Sequence, residues 1–240
     1  MIACETGRPL VQHVVDQVRR CRRVGEVIVA VDDERIAEAV RPFGTTCVMT
    51  SAKHASGTDR VAEVARQVGY EIVVNVQGDE PEIEPEIVDG LIARLEESGD
   101  EMATAATAFP GGADPGDPNL VKVVVGLEGR ALYFSRSAIP FCREPAGAGS
   151  VRYELHLGIY AYRRQFLLEY AGWSATPCES AEKLEQLRVL EHGRSIYVLK
   201  VDRAAHGIDT PQQYAEFVRR YRHRTGSANP RRTLSDQQTD

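Results

Sequence analysis

The chain has 240 residues and a formal net charge of −6 at pH 7. With 42% hydrophobic and 27% charged residues it has the composition of a soluble globular protein, long enough for one large α/β domain or two small ones. The negative charge argues against a nucleic-acid-binding protein, which usually has a basic face.

Helices and short apolar strands alternate in the first part of the chain. The predicted helices are "TGRPLVQHVVDQVRRC", "DERIAEAVRPFG", "SGTDRVAEVARQVGY" and "EPEIVDGLIARLEES". The predicted strands between them are "EVIVAVDD", "TCVMT" and "EIVVNVQGDEP". One helix and one strand together take about 20–25 residues, which is typical of parallel strands joined by crossover helices.

Longer strands follow after residue 100. They are "MATAATAFP", "VKVVVGLEGRALYFSRSAIPF", with a hairpin turn at "LEGR", and "HLGIYAYRRQFLLEY". The segment "SAEKLEQLRVLEHG" predicts one helix that Gly193 stops, "SIYVLKVD" a last strand and "TPQQYAEFVRRYRHR" a last helix. Residues 225–240 are polar and predict a disordered tail after a domain of residues 1–224.

These elements predict an α/β fold of three layers, with a mostly parallel Rossmann-like sheet between helices on both faces. Open sheets of this kind usually begin with a strand whose loop carries phosphate-binding residues into the first helix. This sequence begins directly at the first helix, so the N-terminal strand is predicted to be missing from the sheet.

The cysteines, the apolar runs and the N-terminus indicate where in the cell the protein is located. The five cysteines are scattered and include no CxxC pair, which indicates reduced thiols rather than disulfides or a zinc site. No apolar run has the length of a membrane span, and the first residues lack the layout of a signal peptide. We therefore predict a cytoplasmic protein without a membrane partner.

Two acids follow strand-like segments far apart in the chain. Asp79 comes after "VVNVQG", and Asp209 follows a glycine in "AAHGIDTPQQY". Ligands of parallel sheets bind beyond the carboxyl ends of the strands, and Mg²⁺ prefers one or two protein carboxylates together with substrate phosphates. Both acids are therefore candidate metal ligands, and helix capping is the alternative for each.

Other polar residues are candidates for substrate binding. The loop "SAKHASGTDR" precedes a helix whose backbone N–H groups suit an anion or a base edge, although the local sequence slightly favours an ordinary capping loop. Arg136 and Arg143 suit a carboxylate. His156 is interpreted either as a satisfied core histidine or as a ligand. Glu185 and Gln186 lie where they reach either a sugar or only solvent.

Seven motifs together resemble a known family. They are "HASGTDR", "VVNVQGDEP", "NLVKVVV", "ALYFSRSAIPF", "HLGIYAYRRQFL", "KLEQLRVLEHG" and "GIDTPQQY", and their order and spacing are those of the family. The chain, from about residue 5 to about residue 222, strongly resembles the 3-deoxy-manno-octulosonate (KDO) cytidylyltransferases, the CMP-KDO synthetases.

The resemblance implies a nucleotidyltransferase that joins CTP to the acid sugar KDO for lipopolysaccharide biosynthesis. The anomeric hydroxyl of the sugar attacks the α-phosphate of CTP in line, which gives CMP-KDO and pyrophosphate. It also implies a homodimer. Asp79 and Asp209 are implied to be catalytic Mg²⁺ ligands, and Ser56, Gly57 and Arg60 to belong to the cytidine site. The implied sugar-binding residues are Gln77, Arg136, Arg143, His156, Tyr160, Glu185 and Gln186.

One family motif has no counterpart in this sequence. Family members open with a strand and a basic loop of the form PARxxSxRxPGK, which cradles the triphosphate, and "TGRPL" resembles only a later element. Our hypothesis is that Met1 is an internal methionine and that the gene starts upstream. For the chain as it stands we predict little or no activity and an exposed sheet edge that is prone to association.

Three alternatives remain at this stage. The first is a cytidylyltransferase for another acidic 2-keto sugar, and the second is an inactive chain that still binds the sugar. The third, a generic Rossmann binding domain, is disfavoured because the sequence contains no GxGxxG.

Overall fold

The computed structural model describes residues 1–54, 56–143, 152–205 and 207–226. The helices are α1 (Leu10–Val18), α2 (Glu34–Val40), α3 (Gly57–Ala65), α4 (Pro85–Glu97), α5 (Arg164–Tyr170), α6 (Pro177–Glu182), α7 (Gln186–Glu191) and α8 (Pro211–Gly226). The strands are β1 (Ile28–Val31), β2 (Thr46–Met49), β3 (Ile72–Asn75), β4 (Met102–Ala108), β5 (Lys122–Val125), β6 (Ala131–Ser135), β7 (Glu154–Arg163) and β8 (Tyr197–Val201). Helix α8 includes the first two residues of the predicted tail, and the other tail residues lie outside the described residues.

The larger sheet has six strands, of which four point the same way. Its order is β6-β5-β7-β4-β8, and β3 pairs with β7 as well. Strand β7 runs antiparallel to β3, β4 and β5, and β8 runs parallel to β4. Strands β3, β4, β5 and β8 therefore share one direction, while β6 and β7 run against them. The predicted α/β class is confirmed, with a sheet that is mixed.

Helices cover both faces of this sheet. Strand β4, with the sequence MATAATA, is buried on both faces, so its residues alternate between two cores. Met102 and Ala106 pack with α3, α5 and α7, whereas Ala103 and Ala105 pack with α1 and α4. Helix α4 begins at Pro85, a favoured first position, and buries one apolar stripe against the second core. The molecule thus has the predicted three layers.

The structure corrects two predicted elements. The segment "RQFLLEY" was expected to continue a strand but forms α5, because Phe166, Leu167 and Tyr170 lie on one face of a helix and are buried together. The single helix expected over "SAEKLEQLRVLEHG" is two helices, α6 and α7, separated at Lys183, which adopts a left-handed φ of 54°. The predicted "LEGR" hairpin is confirmed, with Gly129 at a φ of 79° in its turn.

A slot separates the parallel β1–β2 pair from the larger sheet. It is a cavity of about 540 Å³ lined by β1, β3, α1 and α3, and Met1 also contributes to it. Among the described residues β1 pairs only with β2, and β3 only with β7, so the edges of β1 and β3 that line the slot have no strand partner. No strand precedes α1 within residues 1–9, as predicted.

Two further predictions from the sequence concern the cysteines and membrane-spanning helices. All five cysteines lie among the described residues and are free thiols. Within the described ranges, none of the helices has the length and the apolar character that crossing a membrane requires.

Candidate active site

A cavity of about 1260 Å³ opens beside the middle of β7. The loops that follow β3 and β8 and the segment that joins α6 to α7 contribute to its walls. Strands β3 and β8 point the same way, so their carboxyl ends meet at this edge of the sheet, where ligands of α/β proteins bind.

Nine of the twelve site residues predicted from the sequence line this cavity. They are Gly57, Gln77, Asp79, Arg136, His156, Tyr160, Glu185, Gln186 and Asp209. They come from positions 57 to 209 of the chain, so only the fold brings them together.

The remaining three predicted residues are placed elsewhere. The Ser56 hydroxyl accepts a hydrogen bond from the Asp59 amide at 3.2 Å and caps α3. The Arg60 guanidinium forms an ion pair with Asp32 at 2.7 Å and lines the slot rather than the large cavity. Arg143 is exposed next to a segment, residues 144–151, that lies outside the described residues.

Asp79 and Asp209 lie close together, as expected of ligands to one ion. The Ile208 amide donates to the Asp79 carbonyl at 2.8 Å, which ties the loop after β8 to the loop after β3. Burial and the nearby Asp209 carboxylate both raise the pKa of Asp79. Thr210 is the residue whose side chain caps α8, because its hydroxyl accepts from the Gln213 amide at 3.2 Å. The capping alternative for Asp209 is therefore not supported.

Glu80 joins these two acids and was not among the predicted site residues. Burial, followed by the charges of Asp79 and Asp209, raises the pKa of Glu80 to about 7. Among the described residues no arginine or lysine side chain forms an ion pair with any of the three carboxylates. The signal was visible in the sequence as two adjacent acids at the end of "VVNVQGDEP".

The whole cavity is acidic. Its lining contains seven acids, namely Asp79, Glu80, Glu82, Asp117, Glu185, Asp209 and Glu216, and three bases, namely Arg136, Lys183 and Arg220. Like charges at this density disfavour an anionic ligand unless a cation accompanies it. Within the described ranges no group of three or more His, Cys, Asp and Glu side chains is arranged to hold a metal ion by itself.

The opposite wall carries neutral hydrogen-bonding groups. Gln186 is buried, and its side-chain Nε2 has no hydrogen-bond partner among the described residues, so a ligand acceptor would satisfy it. Burial lowers the pKa of His156 to about 3, so its imidazole is neutral at physiological pH. Its ring packs edge-on against Phe134 and lies 5.5 Å from that of Tyr160.

The Arg136 side chain is turned toward the protein rather than toward open solvent. Its Nε donates to the Glu182 carbonyl and its Nη1 to the Pro118 carbonyl, both at 2.7 Å. The Arg136 amide in turn donates to the Glu182 carboxylate at 2.9 Å. In this conformation Arg136 fixes two loops at the cavity wall, and the bidentate grip expected from the sequence would need some of these donors to be released.

The fold and the site together define a class of protein. A mixed α/β sheet with unpaired carboxylates beyond its strand ends, next to a large polar cavity, is an arrangement suited to nucleotidyl transfer. The profile of the family described as "Cytidylyltransferase" matches residues 6–196.

Similar proteins narrow this class. Proteins named 3-deoxy-manno-octulosonate cytidylyltransferase are 48% identical to the chain in Geobacter sulfurreducens, over 88% of each chain, and 42% identical in Nitratidesulfovibrio vulgaris, over 92% of this chain and 88% of that one. The solved structure of a CMP:2-keto-3-deoxy-manno-octonic acid synthetase complexed with CTP superimposes with a TM-score of 0.84 at 40% identity, covering 90% of this chain and 88% of that one. The chain belongs to the 3-deoxy-manno-octulosonate cytidylyltransferase family.

A more distant structure shows the fold alone. It is the 4-diphosphocytidyl-2C-methyl-D-erythritol synthase from Anaerococcus prevotii, with a TM-score of 0.56 at 12% identity over 90% of this chain and 87% of that one.

Proposed function

We propose that the chain transfers CMP from CTP to KDO and releases pyrophosphate. The observation that carries this proposal is that Asp79 and Asp209 line one cavity together with six of the seven predicted sugar-binding residues. In the reaction, the anomeric oxygen of the sugar forms a bond to the α-phosphorus while the bond from that phosphorus to the bridging oxygen of pyrophosphate breaks. The hydroxyl proton is released to solvent.

Asp79 and Asp209 are the residues that would hold Mg²⁺, with Glu80 beside them. The raised pKa values of Asp79 and Glu80 fit this assignment, because buried like charges without a counter-ion favour cation binding. When bound, Mg²⁺ would offset the charge of the phosphates and favour ionisation of the attacking hydroxyl. Because the cavity is acidic, two anionic substrates would need Mg²⁺ in order to bind there together.

The residues of the chain itself position the two substrates. Gln186 offers a free amide donor, and Tyr160 and His156 offer neutral polar groups, which suit the hydroxyls of a sugar. The first turn of α3, beginning at Gly57, offers backbone N–H groups to the nucleotide. The cavity lining has only three bases, which are few for a triphosphate and a carboxylate.

An assay with CTP labelled at the α-phosphate tests the proposal. We expect label to appear in a sugar nucleotide only when KDO and Mg²⁺ are both present, and to disappear from it when EDTA is added. If the chain prefers a sialic acid or an amino-KDO, label will appear in a sugar nucleotide with that 2-keto sugar acid rather than with KDO. Calorimetry with KDO and with CTP separately identifies the inactive alternative, in which the sugar binds and no label is transferred under any condition.

The homodimer implied by the resemblance and the cytoplasmic location predicted from the cysteines and the N-terminus stay proposals. Two exposed apolar side chains near the outer strand β6 support a subunit contact there: Leu127 lies in its hairpin, and Leu132 lies on the strand and is 64% exposed. The molecular mass in solution, measured by light scattering, tests the dimer. A monomer at micromolar concentration would exclude it.

A further inference from the structure

A threonine that does not line the cavity lies directly behind His156. Thr104 is completely buried in β4, opposite an irregularity of the β7 register, where Thr104 pairs with Tyr160 and Ala105 pairs with Leu157. The two β7 residues between these pairs, Gly158 and Ile159, have no pairing partner on β4.

The Thr104 hydroxyl has three polar neighbours. Its Oγ1 lies 2.7 Å from the Ile159 carbonyl oxygen, 3.2 Å from the Leu157 carbonyl oxygen and 3.0 Å from His156 Nε2. Both carbonyl oxygens are acceptors only, whereas a hydroxyl has one hydrogen to donate and lone pairs to accept with. Counting hydrogens therefore decides the direction of the contact with His156.

If the hydroxyl donated to His156 Nε2, it would face two carbonyl oxygens with no hydrogen between them, one of them at 2.7 Å. That arrangement places the hydroxyl oxygen against carbonyl oxygens that repel it, in a fully buried position. If the hydroxyl donates to Ile159, its lone pair is free to accept from a protonated Nε2. This second arrangement gives a hydrogen to each of the two shortest contacts, at 2.7 and 3.0 Å, and leaves only the 3.2 Å contact with the Leu157 carbonyl without one, whereas the first leaves both carbonyl contacts without one.

We propose that Thr104 is a positioning residue that holds His156 as the Nε2–H tautomer, so that Nδ1 remains an unprotonated acceptor for a hydroxyl of the sugar. Nδ1 makes no hydrogen bond within the described ranges, and the His156 ring lines the cavity. The low pKa of His156 agrees with a neutral ring in which only the tautomer has to be fixed. The choice of a sugar hydroxyl as donor rests on the proposed function.

The ¹⁵N shifts of the imidazole nitrogens test the tautomer without any substrate. The protein is labelled at its six histidines, and the His156 signals are identified by their loss in His156→Gln. At pH 7 we expect a protonated Nε2 and an unprotonated Nδ1 in the wild type and in Thr104→Ser, which keeps the hydroxyl. In Thr104→Val, which loses it, we expect a mixture of tautomers.

Calorimetry with KDO then measures the consequence for binding. Losing one well-placed hydrogen bond weakens binding by roughly tenfold, so we expect this loss in Thr104→Val, recovery in Thr104→Ser and no change for CTP. Thr107→Val is the matched control, because Thr107 lies on the same strand and makes no side-chain hydrogen bond among the described residues.

The outcomes separate this proposal from the proposed function. An Nδ1–H tautomer or an imidazolium in the wild type overturns the proposal even if Thr104→Val fails to fold, and so does a Thr104→Val spectrum identical to that of the wild type. Unchanged KDO affinity in His156→Gln instead overturns the sugar-binding role of His156. In that case the tautomer measurement still decides what Thr104 does.

Discussion

The charge of the buried Asp100 and the charges of the acids at the cavity are handled in opposite ways. Asp100, 4% exposed, lies between the guanidinium groups of Arg94 and Arg130, at 2.7 and 3.1 Å. Burial alone would raise the pKa of Asp100, but hydrogen bonds from Ser98 and the two arginines outweigh it, and the pKa is lowered. At the cavity the balance is reversed: burial and mutual repulsion raise the pKa values of Asp79 and Glu80, and no arginine or lysine among the described residues is paired with them.

Asp100 stabilises the fold through its ion pairs, whereas the cavity acids are the ones for which we propose cation binding. An ionised carboxylate without a partner costs stability when it is buried, so a fold tolerates a group of them only where something else supplies the charge. Perturbed groups of this kind mark functional sites more often than structural ones. Asp100 therefore serves as the structural comparison: it is a buried acid that is paired with arginines and has a lowered pKa.

The largest effect is expected from Asp209→Asn. It removes one of the two proposed Mg²⁺ ligands, so we expect Mg²⁺-dependent transfer of label from CTP to fall by at least roughly a hundredfold. The free energy of unfolding without metal should stay the same or rise, because a repelling charge is lost. Asp202→Asn, an exposed acid just after β8, is the control and should change neither quantity. Equal losses in both variants would contradict the assignment.

Asp100→Asn should have the opposite pattern. Removing this buried carboxylate takes away the ion-pair partner of Arg94 and leaves Arg130 with only the exposed Glu128. Because both arginines are partly exposed, we expect a loss of about 2 kcal/mol in the free energy of unfolding. Substrate binding should not change, because Asp100 is outside the cavity. Urea unfolding monitored by circular dichroism measures the loss.

Glu128→Gln is the control for Asp100. It removes the other carboxylate partner of Arg130, but Glu128 is 83% exposed, so we expect a change below about 0.5 kcal/mol. A loss as large as that of Asp100→Asn would mean that exposure does not distinguish these pairs.

The pH dependence of stability gives a further test of the Asp100 pair. Its pKa is lower in the folded chain than in the unfolded chain, so its contribution is complete above the unfolded value and is lost as the pH falls through the folded value. The difference in unfolding free energy between wild type and Asp100→Asn should be constant from about pH 5 to 7 and shrink below about pH 4. A difference that grows on acidification would contradict the lowered pKa.

The sequence was sufficient to predict most helices and strands and most of the residues that line the cavity, but not the exact helix boundaries or the contacts between strands. The alternation of helices and strands was enough to predict the layers. The positions of Asp79 and Asp209 after strand-like segments pointed to the cavity that both line, and their role as metal ligands stays a prediction. The break at Lys183 was missed, because a left-handed lysine inside an apolar helical pattern leaves no local signal. Thr104 could not be found either, since its role depends on a register irregularity that exists only once β4 and β7 pair.

A smaller effect than that of Asp100→Asn is expected from Ser56→Ala, and it tests whether this serine has a structural role or contacts the nucleotide. Its hydroxyl already accepts from the Asp59 amide, so it resembles Asp100 in having its partner within the protein. We expect a loss of about 1 kcal/mol in the free energy of unfolding, the usual cost of an N-cap, and unchanged affinity for CTP. Ser137→Ala, at an exposed serine, should change neither. If CTP affinity falls while the control is silent, Ser56 contacts the nucleotide directly, and the capping bond must be exchanged for that contact when CTP binds.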